Sequence, residues 1–157
     1  MSQRLKKFRG LVQNSSEFGM FLRIGLWILL VTILLRLAPL PRMMKILSPS
    51  KISRRRFPRH KLVNFSSFWL GRGRAFLQRS CLKRSLVLYR YLNLQGEPAR
   101  FCIGVRKEDG ELRGHSWIML HGQPLFPEDD LDYKLIFQYP APGGWIFPRQ
   151  PSEKSSG

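Results

Sequence analysis

Two side chains in this sequence can be tuned into a nucleophile and a base, Cys81 and His115, and both fall in "SCLKRSLVLYRYLNLQGEPARFCIGVRKEDGELRGHSWIML", residues 80–120. The pattern predicts a helix from about Cys81 to Leu94, with Ser80 as N-cap and Gly96 just past the end. A thiol in the first turn of a helix faces unpaired backbone N–H groups and the positive end of the dipole, and both favour thiolate. Arg79, Lys83 and Arg84 add positive charge nearby. A histidine that opens a strand packed on this helix can reach the sulfur, and a carboxylate beyond the next strand can hold the imidazole in the required tautomer. Glu128, Asp129, Asp130 and Asp132 lie at that strand end. The backbone N–H of Cys81 is the candidate oxyanion donor. Attack on a carbonyl, with acyl transfer to water or to an amine, is the chemistry such a set performs. Cys102, in the middle of an apolar strand without a neighbouring base, reads as packing.

The elements that must position this pair are legible in outline. Leu82, Leu86, Tyr89 and Leu92 form one helical face, which Val87, Leu88 and Tyr91 widen until most of the cylinder is apolar, as expected of a central helix. Phe101, Ile103 and Val105 alternate along one run, "EDGEL" supplies a turn, and His115, Trp117 and Met119 alternate along the next over residues 113–120. A tight turn at Gly122, a short strand from Pro124 to Phe126 and a last apolar run from Tyr133 to Tyr139 complete an antiparallel sheet. Helix followed by antiparallel strands predicts an α+β layer architecture.

Upstream, the chain is strongly basic. Residues 1–100 carry 21 Lys and Arg against Glu17 and Glu97, whereas residues 101–157 carry six basic and eight acidic side chains. Such polarity points to an anionic partner for the front half: nucleic acid, anionic lipid or an acidic peptide. Ile24 to Leu35 is twelve residues without a charge, between Arg23 and Arg36. It rises about 18 Å as a helix, short of the roughly 30 Å hydrocarbon layer, and no small-residue cleavage site follows, so a buried or half-buried helix is expected. Pro39 and Pro41 then break the helix, Met43 to Leu47 form one further turn, and "KISRRRFPRHK", residues 51–61, reads as a solvated linker. A short amphipathic helix near Leu70 should end at Gly71 and Gly73. These features divide the chain into a basic N-terminal region, residues 1–61, with its hydrophobic helix at about 18–38; a core, residues 62–140; and a tail, residues 141–157. Two cysteines give no disulfide framework, and His60, His115 and His121 lack metal-ligand spacing, so neither a disulfide scaffold nor a metal site is expected.

The stretch from Cys81 to Leu125 resembles the transglutaminase-like cysteine peptidase of lasso peptide biosynthesis, the leader peptidase that is a separate protein in split systems. The matching pieces are C-L-x-R-S/A-L at 81–86, the Gly96 and Pro98 elbow, I-G-V-R at 103–106 and G/A-H-S/A-W at 114–117. The apolar helix followed by proline and basic residues is also similar to that family's front end. The resemblance implies a transglutaminase-like or papain-like core in which Cys81 attacks a peptide carbonyl, His115 is base and then acid, and a carboxylate orients it. The family's aspartate position is occupied by Pro127, so Glu128 or Asp129 must serve, or a dyad must suffice. The implied substrate is the leader region of a ribosomally made precursor. The implied partners are a leader-recognition protein and an ATP-dependent macrolactam cyclase, with an anionic membrane surface as a further contact through the 18–38 helix of a cytoplasmic protein. No nucleic acid is expected as partner. No cofactor is implied, and the chain has no phosphate-binding glycine loop. An acyltransferase or transglutaminase on the same core, and a non-catalytic basic protein binding membrane or nucleic acid, are the alternatives.

Overall fold

The computed structural model describes residues 14–70, 77–126 and 132–141. Helices α1 (Ser15–Leu37), α2 (Leu40–Leu47), α3 (Arg59–Leu70) and α4 (Leu77–Leu94) precede strands β1 (Ala99–Glu108), β2 (Glu111–Leu120), β3 (Gln123–Pro124) and β4 (Lys134–Tyr139). All the strand pairs are antiparallel, in the order β3-β2-β1-β4. The helices cover one face of this sheet, which is the expected α+β arrangement.

Alternation decides which residues meet the helices. Phe101 stands opposite Ile118 and Ala99 opposite Leu120, and these four side chains are buried with Leu86, Leu88, Tyr89 and Leu92 of α4 in one core. Arg100, Cys102, His115, Trp117 and Met119 belong to the outer face. Helix α4 stops as its sequence predicts: Gly96 has φ +80°, its N–H reaches the Asn93 carbonyl, and the Glu97 N–H reaches that of Leu92. This is a Schellman ending, and it needs a residue free to take the left-handed conformation. Asp109 and Gly110, at φ +52° and +83°, make the two-residue β1–β2 turn that matches the twist of its strands.

Helix starts depart from the sequence reading. Ser80 is helical and not the N-cap of α4, because Leu77, Gln78 and Arg79 contain no breaker and continue the helix upstream. Helix α1 ends at Leu37, ahead of Pro39 and Pro41 as expected, and α2 spans Leu40–Leu47 with Pro41 inside its first turn, where a missing N–H costs nothing. Helix α3 begins at Arg59, which takes Arg59, His60 and Lys61 out of the expected linker. It ends at Leu70, and Gly71 and Gly73 lie outside the described residues. Its first turns are tied down by the two acids of the basic half: Arg59 Nε lies 2.8 Å from Glu97 and Lys61 pairs with Glu17.

Helix α1 is 23 residues long, about 34 Å, and contains Arg23 and Glu17, so the expectation that the apolar segment is too short to span a bilayer is corrected. Arg23 is exposed and Glu17 is paired, so neither interrupts the helix. By length and composition α1 is capable of crossing a membrane. One side is nonetheless packed on the domain. Met20, Phe21, Ile24 and Val31 are buried, and Phe21 contacts the rings of Phe65, Phe68 and Trp69 at centroid distances of 5.5, 5.3 and 5.0 Å. Trp69 donates its indole N–H to the Phe21 carbonyl at 3.0 Å and lies over Gly25, where a Cβ would come within 2.5 Å of the indole ring.

Candidate active site

Among the described residues strand β3 pairs with Met119 and Leu120 and the Leu125 N–H reaches the Ile118 carbonyl at 2.8 Å, so at Ser116 the outer backbone edge of β2 is left for something other than a strand. Helix α4 takes it. The Ser85 hydroxyl donates to the Ser116 carbonyl at 3.0 Å, and one turn earlier the Cys81 sulfur is hydrogen-bonded by the Ser116 backbone and by the His115 side chain. Two positions one helical turn apart thus grip the C=O and N–H of a single strand residue. That pairing fixes the register of helix on strand and brings sulfur and imidazole together. The Ser116 hydroxyl is buried beside the sulfur, whose thiolate it favours.

Burial pushes the Cys81 thiol pKa up. The bonds from His115, from the Ser116 hydroxyl and from the Ser116 backbone, with the charge of His115, outweigh that and hold it below its ordinary value. The origin of this shift differs from the sequence expectation. Cys81 lies one turn inside α4, so its N–H is committed to the helical hydrogen bond with Leu77 and is not available to an oxyanion. Arg84 lies over the Phe126 ring at 4.7 Å. Cys102 is the contrast: burial, slightly offset by Arg100, pushes its thiol up to about 11. It sits on the outer sheet face, where it helps line a cavity of about 470 Å³ with Arg100, Trp117, Met119, Leu135 and Gln138.

The imidazole is oriented by aromatic rings. His115 stacks on Trp117 at 6.1 Å with 11° between planes, and Tyr133 closes on it at 5.2 Å. Tyr133 in turn lies under the Arg106 guanidinium at 5.0 Å, and Arg106 is held by Glu108 at 3.0 Å. Tyr133 can approach only because Gly104 stands opposite His115 in the ladder: a Cβ there would lie 2.9 Å from Trp117 Cη2, 2.9 Å from Tyr133 Cβ and 3.0 Å from the Lys134 carbonyl oxygen. The β1–β4 register also shifts between Ile103 and Gly104. Sequence reading missed Tyr133, Ser85, Ser116 and Gly104 as parts of the site. Three of them stood inside the quoted motifs as small residues, at places where strand, helix and rings come closest.

Glu128 and Asp129, the expected orienting carboxylates, and Asp130 and Pro127 lie outside the described residues; Asp132 is exposed beside Tyr133. Among the described residues no group of three or more His, Cys, Asp or Glu side chains could hold a metal.

The cysteine and histidine thus meet where a helix packs on a strand of an α+β core, and a family model of the transglutaminase-like superfamily matches residues 27–138. The chain belongs to the transglutaminase-like superfamily. That superfamily includes cysteine proteases and transglutaminases and is usually catalytic. The match starts at Trp27, so the second half of α1 falls within it. Comparison with curated proteins and with solved structures returns no match.

Proposed function

We propose that this protein is a cysteine endopeptidase that removes the leader from a ribosomally made precursor during lasso peptide maturation. The observation that carries the reading is the Cys81 thiol, hydrogen-bonded to His115 and held below its ordinary pKa within a transglutaminase-like domain. In the first step the Cys81 thiolate attacks the scissile carbonyl, and imidazolium His115 protonates the departing amine. Water then attacks the thioester with His115 as base; the sulfur leaves as thiolate and the leader departs with a new carboxylate. Glu128 or Asp129 is the proposed partner of the imidazole. The cavity bordered by Trp117 offers room for a substrate side chain beside the ring stack. The support for the lasso assignment is the resemblance of the motifs at 81–86 and 114–117 to those of the lasso leader peptidases. The proposed partners are the leader region, a leader-recognition protein and the macrolactam cyclase that acts on the freed amine.

The test is incubation of the protein with its precursor and recognition protein, read by mass spectrometry. The wild type should release the intact leader, and Cys81→Ala should be slower by at least about a thousandfold. Equal cleavage by both proteins removes the assignment. Acyl transfer to an amine on the same core is the second reading, because the same thioester serves it. A leader whose new C-terminus carries an added amine, in preference to water, would select that reading.

A further inference from the structure

Helix α1 presents a second face that is exposed among the described residues. Leu22, Leu26, Leu29, Ile33 and Leu37 are 48, 65, 58, 45 and 77% exposed, and their spacing of four, three, four and four residues sets them in one stripe. Leu30 widens it at 36%. Scattered exposed leucines need no explanation, but a continuous stripe along most of a helix does. The cations on this helix stand where they would border a lipid surface. Arg23, at the edge of the stripe, and Arg36, three residues after Ile33, are both exposed, and both can extend along the stripe to reach headgroups. The whole chain carries a formal charge of +17, which an anionic surface complements and a neutral protein groove does not.

We infer that α1 docks the protein on an anionic bilayer leaflet, lying in the plane of the interface with Leu22, Leu26, Leu29, Ile33 and Leu37 inserted, and that it does not span. Its opposite face decides between the two modes. Phe21, Ile24 and Val31 are buried against the domain, Trp69 is bonded to the α1 backbone, and the Arg90 guanidinium lies 3.7 Å from the Trp27 ring centroid. A spanning helix would have to surrender these contacts, whereas an in-plane helix keeps them and covers the remaining face.

The full-length protein is mixed with vesicles of phosphatidylcholine alone and of phosphatidylcholine with phosphatidylglycerol, and bound protein is measured by flotation. Binding should require the anionic lipid and weaken with added salt, and alkaline carbonate should release the protein. L26E/I33E should bind at least about tenfold more weakly while unfolding at an unchanged temperature. Leu112→Glu, a control 71% exposed at the far end of β2, should bind like wild type. Binding indifferent to phosphatidylglycerol, or unaffected by L26E/I33E, overturns the inference. Retention through carbonate overturns the in-plane geometry in favour of a span. A dimer in sedimentation that L26E/I33E dissolves, without lipid binding by wild type, assigns the stripe to a second copy.

Discussion

A thiol is a poor nucleophile until something stabilises its anion, and around Cys81 that role falls to one strand residue and one ring. Ser116 supplies a backbone bond and a hydroxyl, and His115 supplies a bond and charge. The ring's own position depends on Tyr133 and, through Tyr133, on the absent side chain of Gly104. Replacing Tyr133 with Ala should therefore loosen the imidazole and lower kcat about tenfold to a hundredfold while leaving KM nearly unchanged, because the ring orients the imidazole and does not bind substrate. Tyr133→Phe should keep most activity, since stacking needs the ring and not the hydroxyl. A steady-state kcat and KM comparison checks both; equal losses in the two variants would show that the hydroxyl acts. Gly104→Ala must push on rings and a backbone carbonyl, and should destabilise the fold by about 1–3 kcal/mol in a denaturant titration. None of this was visible at position 133, an aromatic at the head of an apolar run, because its value comes from a strand crossing that only the fold creates.

At the scale of elements, the ends that the sequence announced are those governed by a local rule. Gly96 ends α4 because the chain must turn left-handed there, and Asp109-Gly110 turns the hairpin for the same reason. Starts were harder to read. A serine before an apolar run looks like a cap, yet nothing in Leu77, Gln78 or Arg79 opposes helix, so Ser80 was absorbed. Length failed likewise for α1, because a charge such as Arg23 interrupts a hydrophobic run but not a helix. Close approach of elements is the other property the string conceals. Gly25→Ala raises helix propensity, worth up to about 1 kcal/mol, but puts a methyl into the Trp69 ring; a net loss of roughly 1–2 kcal/mol is expected. Thermal unfolding that shows net stabilisation would mean the α1–α3 contact can slide. Asn93 joins α4 to β1 by donating its amide to the carbonyls of Tyr89 and Ala99 at 2.8 and 3.0 Å, both buried. Asn93→Leu leaves the Ala99 carbonyl without this partner and should cost about 1–3 kcal/mol by the same measurement.

The whole molecule combines a basic exterior with buried acidic groups whose pKa values are raised. Burial pushes Tyr89 and Tyr91 up to about 12 and Cys102 up to about 11, with Ser48 partly offsetting the rise at Tyr89, Arg90 and Arg23 at Tyr91, and Arg100 at Cys102. Each folded value is raised, so each group's contribution to stability is complete below its unfolded value. It is lost as pH rises from there through the folded one. Stability should therefore fall steadily between about pH 8.5 and 12, and urea titrations across that window check it; a flat profile would mean these groups ionise equally well in the folded state. Architecture at this scale was legible because alternation in β1 and β2 and the broad apolar face of α4 each admit one arrangement. No single orienting carboxylate was legible, because the position where the resembled family has its aspartate is Pro127 and residues 128–132 hold four acids, Glu128, Asp129, Asp130 and Asp132.

The lowered pKa of the Cys81 thiol beside His115 is open to direct titration. Alkylation by iodoacetamide is followed against pH in wild type and in His115→Ala, and each cysteine is read separately by peptide mass spectrometry, with Cys102 as the internal reference. In wild type, Cys81 should react with a midpoint below that of an ordinary thiol while Cys102 stays unreactive until strongly alkaline pH, and the Cys81 midpoint should rise in His115→Ala. A Cys81 midpoint at or above the ordinary thiol value, or one that does not move when the imidazole is removed, would contradict the pairing and with it the peptidase reading.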